Sequence, residues 1–77
     1  MIVDDNLNFV KRMKGLLEEL SNISSINVAS DYDNAIRQIN EQRPDFVLLD
    51  INLPGKSGIE ILRVIKQNKW ECEVIMI

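Results

Sequence analysis

Three acids stand where two apolar runs stop. Ile2-Val3 ends at Asp4-Asp5, and Phe46-Val47-Leu48-Leu49 ends at Asp50, followed at once by Ile51-Asn52-Leu53-Pro54-Gly55. A strand-terminal Asp can be a plain turn cap, since Asp is favoured in turns. Asp4 or Asp5 can equally cap a following helix, whose N-terminus favours negative charge. The same acids can also be reactive groups held at the mouth of a sheet. An Asp carboxylate can act as a nucleophile and carry an acyl phosphate, and the charge on a transferring phosphoryl group calls for a metal ion. If the two strand ends are neighbours, all three carboxylates converge. Two like charges about 4 Å apart repel by roughly 4 kcal/mol at an effective dielectric of about 20. A hard divalent ion relieves this, and a few carboxylates completed by water suit Mg²⁺ better than an all-protein Ca²⁺ cage. The chain has no histidine, so a phosphohistidine donor would have to come from a partner; a small molecule is the other source.

The elements that must position these acids alternate in period. Between Leu7 and Leu20 the residues Phe9, Val10, Met13, Leu16, Leu17 and Leu20 recur at spacings of three and four, which predicts a helix with a broad apolar stripe, capped by Asp5 or Asn6. Ser21–Ser25 reads as a connection and Ile26–Ala29 as a short strand. A second helix, capped by Ser30 or Asp31 and carrying Ala35, Ile36 and Ile39, should stop near Arg43, because the residue before Pro44 is pushed out of the helical region. Phe46–Leu49 is a continuous apolar run, as expected of a strand buried on both faces. Ser57-Gly58-Ile59-Glu60 has the form of a capping box and opens a third helix with Ile61, Leu62 and Ile65 inward. A last strand is predicted over 73–77. The order β-α-β-α-β-α-β points to an α/β fold, a parallel sheet with helices on both faces. Ligands in such sheets bind beyond the carboxyl ends of the strands, where the strand order reverses.

Composition narrows the function. Seventy-seven residues make one small domain, 45% apolar and 27% charged, with a formal charge of −3. That charge argues against nucleic acid or an anionic membrane as the main partner. No apolar run nears the roughly 20 residues that span a bilayer, and no secretory signal pattern is present. Cys72 is the only cysteine, which excludes an intrachain disulfide framework and, with no histidine, a zinc site of the usual type. An intracellular, cytoplasmic protein is the plain expectation.

Ile2-Val3-Asp4-Asp5-Asn6, the strand ending on Asp50, and the D-x-x-L-P-G-x-x-G run from Asp50 to Gly58 together resemble the receiver domain of bacterial two-component response regulators. The resemblance implies a flavodoxin-like (CheY-like) sheet, with Asp50 as phosphoacceptor and Mg²⁺ as cofactor. Asp5 would be a direct metal ligand, Asp4 would act through water, and the Asn52 backbone carbonyl would be a further ligand. Pro54 and Gly58 would shape the loop after the third strand. It also implies a sensor histidine kinase as donor, and a role in phosphorelay and transcription regulation rather than as an enzyme. The family's Ser or Thr after strand four, its Lys after strand five and its output face have no counterpart up to Ile77. Residues 1–77 are therefore expected to be a partial receiver domain, truncated after strand four, with nucleic acid reached only through a C-terminal domain beyond it.

Three other readings compete. Gly55-Lys56-Ser57-Gly58 has the G-x-x-G form with which KH domains clamp a nucleic-acid backbone. An aspartyl phosphatase of the haloacid dehalogenase type also uses a strand-end Asp and Mg²⁺, but carries D-x-D where this chain has Asp50-Ile51-Asn52. Finally, an uncovered first helix and an open fourth strand predict a homodimer or swapped assembly, an associating fragment without activity.

Overall fold

In the computed structural model, residues 1–21 and 26–77 are described. They form β1 (Ile2–Val3), α1 (Leu7–Ser21), β2 (Val28–Ala29), α2 (Tyr32–Gln42), β3 (Phe46–Leu49), α3 (Gly58–Gln67) and β4 (Glu73–Met76). Apart from Ser21, which ends α1, the connection read at Ser21–Ser25 lies outside the described residues. The strands make one parallel sheet in the order β2-β1-β3-β4, the order of the flavodoxin-like fold.

Strand alternation sorts the side chains onto two faces. Val3, Ala29, Val47 and Leu49 pack on one face against Ala35 and Ile39 of α2 and Ile61 and Ile65 of α3. Ile2 and Leu48 point to the other face and meet Val10 of α1 and Ile26, flanked by Phe9, Met13 and Leu17. One helix thus covers one face and two cover the other. All of β3 except Phe46 is buried, as the apolar run predicts.

Local chemistry fixes the element ends. The Asn6 carboxamide accepts from the Phe9 N–H at 3.1 Å, so Asn6, not Asp5, caps α1 and the Asp5 carboxylate has no such duty. Asp31, not Ser30, caps α2, accepting from the Asn34 N–H at 2.9 Å. Before Pro44, Arg43 closes α2 in the left-handed region (φ 47°), its N–H bonded to the Ile39 carbonyl at 2.9 Å.

Three expectations need correction. Ile26 and Asn27 precede the second strand instead of forming it, although Ile26 is buried. The capping box forms by half: the Ser57 hydroxyl accepts from the Ile59 N–H at 3.1 Å, while Glu60 turns to Arg63 at 3.3 Å. The α1 stripe is also narrower in use than in pattern, for Leu16 and Leu20 remain 50% and 80% exposed. Ile75, in register with Leu48 on the α1 side of the sheet, is 47% exposed at the β4 edge. No helix among the described residues is long and apolar enough to cross a membrane.

Candidate metal centre

Register brings the acids together. Val3 of β1 is paired with Leu49 of β3, so the next residues, Asp4 and Asp50, leave the sheet side by side. The ladder continues one step past the strands: the Asp50 N–H bonds to the Val3 carbonyl at 2.9 Å, and the Asp4 N–H to the Ala29 carbonyl at 3.0 Å. The chain runs from β1 to β2 on one side and reaches β3 on the other. The pair therefore sits at the point where the strand order reverses, the usual ligand site of such sheets.

Carboxylate oxygens of Asp4, Asp5 and Asp50 all lie within 4.8 Å of one another; Asp4 is buried, Asp50 half-buried and Asp5 exposed. Asp4 Oδ1 accepts from the Asn6 N–H at 2.9 Å, and Asp50 Oδ1 accepts from the Asn52 N–H at 3.0 Å. Burial pushes the Asp4 carboxyl above the usual carboxylate range. The charges of Asp50 and Asp5 and a side-chain hydrogen bond with Asp50 push the same way, and the Asn6 N–H opposes them. The two ion pairs among the described residues, Arg37–Glu41 and Arg63–Glu60, do not involve the cluster. Negative charge is thus concentrated at the sheet edge with no ion-paired cation.

The donor set fits a hard divalent ion. Oxygens about 2.1 Å from an octahedral Mg²⁺ stand about 3 to 4.2 Å from each other. A set spread up to 4.8 Å accommodates two direct carboxylates and a third that acts through water. Asn52, two residues beyond Asp50, is exposed, and its N–H bonds to the Asp50 carboxylate at 3.0 Å, which ties its backbone to the acid cluster.

The loop after β3 is shaped to hold Asp50 in place. The Gly58 N–H bonds to the Ile51 carbonyl at 2.8 Å, and a Cβ at Gly58 would run into the Asp50 carbonyl oxygen. That close approach is why only glycine fits there. Gly55 takes a positive φ of 83° at the tip. Because this G-x-x-G segment leaves a buried strand instead of joining two helices, the KH geometry is not formed.

One contact has no sequence signal: the Lys56 ammonium lies 4.4 Å from the centroid of the Tyr32 ring. Tyr32 belongs to no motif, and Lys56 stands at an unspecified position of the run from Asp50 to Gly58. Only the fold, which places the start of α2 beside this loop, brings them together.

Comparison with known proteins is consistent along the whole chain. The response regulator receiver domain family matches residues 1–77. A protein-glutamate methylesterase/protein-glutamine glutaminase of Syntrophomonas wolfei is 34% identical over 77 residues, covering 100% of this chain and 22% of that protein. The phosphate regulon transcriptional regulatory protein PhoB of Klebsiella pneumoniae is 49% identical over 46 residues, 60% of this chain and 20% of its own. Among solved structures, the MaeR response regulator bound to beryllium trifluoride superposes with a TM-score of 0.92 at 26% identity, over 99% of this chain and 62% of that one. The chain thus spans about a fifth of these curated relatives.

Proposed function

This chain belongs to the response regulator receiver domain family, and from that premise we propose that Asp50 is the phosphoacceptor of a two-component phosphorelay, charged by a sensor histidine kinase. The observation that carries the reading is the convergence of Asp4, Asp5 and Asp50 at the switch point of the sheet. Asp50 Oδ1 is engaged by the Asn52 N–H, which leaves Oδ2 to attack phosphorus. The P–N bond of the kinase's phosphohistidine breaks, its electron pair leaves with the imidazole, and an aspartyl phosphate forms on Asp50.

Asp5, Asp50 and the Asn52 carbonyl would hold Mg²⁺ directly, with Asp4 acting through water. When bound, the ion offsets charge on the transferring phosphoryl oxygens. Asp4 contributes from a buried position fixed by the Ala29 and Asn6 bonds. On this reading residues 1–77 act as a partial receiver domain at a cytoplasmic step of signalling, not as an enzyme with turnover of its own. DNA binding would lie in a further domain, as the name of the PhoB relative suggests. Self-association through the exposed Leu16, Leu20 and Ile75 belongs to the same proposal.

The experiment uses beryllium trifluoride, which a solved relative binds, as a phosphoryl mimic. With Mg²⁺ present, amide NMR shifts should gather around Asp4, Asp5 and Asp50, and Asp50→Asn should abolish them. Equal shifts in Asp50→Asn, or none in the unaltered chain, would remove the phosphoacceptor reading.

A further inference from the structure

We infer that Lys56, seated on the Tyr32 ring, is a positioning residue that ties the tip of the β3–α3 loop to α2 and so holds the Asn52 backbone beside Asp50. The inference rests on the proposed metal site and adds to it two side chains that touch neither the ion nor the phosphoryl group.

The loop is pinned at its base, where the Gly58 N–H meets the Ile51 carbonyl at 2.8 Å and Gly58 packs on the Asp50 backbone, and the Asn52 N–H adds one exposed bond to Asp50 Oδ1 at 3.0 Å. Beyond the base, Asn52, Pro54, Gly55 and Lys56 are exposed. The tip folds on itself through the Lys56 N–H, which bonds to the Pro54 carbonyl at 3.1 Å. Two side chains of this stretch reach the rest of the protein. Leu53 packs against the core on the α2–α3 side, and the Lys56 ammonium lies over Tyr32 at 4.4 Å, inside the roughly 6 Å reach of a cation–π contact.

Tyr32 is a firm anchor. It is the first residue of α2, next to the N-cap Asp31, which accepts from both the backbone and side-chain nitrogens of Asn34 at 2.9 and 3.1 Å. Its ring is half-buried and packs against the same core as Leu53. Asp31 and Asp33 line the cleft that Tyr32 shares with Pro54, Gly55 and Lys56, and their charge favours an ammonium there. The contact therefore joins the β2–α2 and β3–α3 connections across the carboxyl edge of the sheet, on the loop that carries Asn52.

The test is Mg²⁺ titration of the full chain, followed by amide NMR, with hydrogen exchange at Asn52–Gly55 measured without metal. An exposed cation–π contact shifts a loop equilibrium by about two- to five-fold. Tyr32→Leu and Lys56→Met should each weaken Mg²⁺ binding by about that factor and speed exchange in the loop. Tyr32→Phe and Lys56→Arg, which keep the ring and the cation, should stay close to the unaltered chain. The double variant Tyr32→Leu/Lys56→Met should be no weaker than either single one, because both remove the same contact. The sign is diagnostic for Lys56→Met: if the lysine acted only by its charge, its loss would tighten Mg²⁺ binding. Tighter or unchanged binding in both single variants, or losses that add in the double one, would overturn the inference while leaving the metal site standing. An unaltered chain indifferent to Mg²⁺ would overturn both. Should Tyr32→Leu fail to fold, the exposed Lys56 pair decides alone.

Discussion

Replacing Asp4 by Asn should make the metal-free protein more stable and the metal-loaded protein less so. The carboxylate oxygens of Asp4, Asp5 and Asp50 lie within 4.8 Å of one another. At that separation two charges repel by about 3.5 kcal/mol at an effective dielectric of 20 and about 0.9 kcal/mol in bulk water. Asp4 is 6% exposed, but Asp50 is only half-buried and Asp5 is open to solvent, so relief of about 1–2 kcal/mol is the reasonable scale. Asn keeps an oxygen for the Asn6 N–H, so the bond that Asp4 makes at 2.9 Å survives. For a domain of this size each kcal/mol moves the melting midpoint by about 4–8 °C. Thermal unfolding followed by far-ultraviolet circular dichroism in a chelator should place Asp4→Asn about 5–15 °C above the unaltered chain. With Mg²⁺ at about 100 times its Kd, the unaltered chain gains about 2.7 kcal/mol; the variant gains less, and the gap closes or reverses. A variant that melts at or below the unaltered chain in chelator would refute the reasoning, since the converging carboxylates would then not oppose the fold.

Acidity supplies a second test with a definite sign. Because the folded Asp4 carboxyl sits above its ordinary value, chiefly through burial, its protonation favours the folded state. Stability from this group is fully present below the ordinary carboxylate pKa and is lost as pH rises through the raised folded value. The chelator-state gap between Asp4→Asn and the unaltered chain should therefore shrink on acidification, while Mg²⁺ affinity falls; a gap that widens would contradict the shift. Gly58→Ala should cost about 1–3 kcal/mol by forcing a Cβ into the Asp50 carbonyl, and should weaken Mg²⁺ binding by displacing Asp50. Unchanged chemical denaturation would show that the close approach is absent in solution. Sedimentation at high micromolar concentration should find the 77-residue chain associated, and Ile75→Lys at the β4 edge should reduce that association. A clean monomer would exclude it.

What could be read from the sequence was decided by locality. An apolar run that ends on an acid announces both the strand and its reactive end, so Asp4 and Asp50 were legible one strand at a time. Their meeting depends on β1 lying beside β3 in the register Val3 to Leu49; the sequence carried this only through its resemblance to a family with that strand order. Where local rules failed, a neighbour competed. Glu60 has the right spacing for a capping box, yet Arg63 one turn along its own helix takes the carboxylate. Ile26 and Asn27 have strand-like character, but the two residues of β1 take Val28 and Ala29 as their register partners and reach Asn27 only through the Ile2 N–H, which bonds to its carbonyl at 2.9 Å. The α1 stripe is as wide as its pattern promises, yet only the residues facing Ile2 and Leu48 find a surface to bury against, so Leu16 and Leu20 remain outside. Lys56 and Tyr32 were illegible for the opposite reason. No periodicity, cap or motif marks a lysine and a tyrosine that meet only because the loops after β2 and β3 leave the sheet at the same edge. The acids are written into the strand ends, whereas the contacts that steady the loop around them are a product of topology, and it is there that a receiver can differ from its relatives without altering its motif.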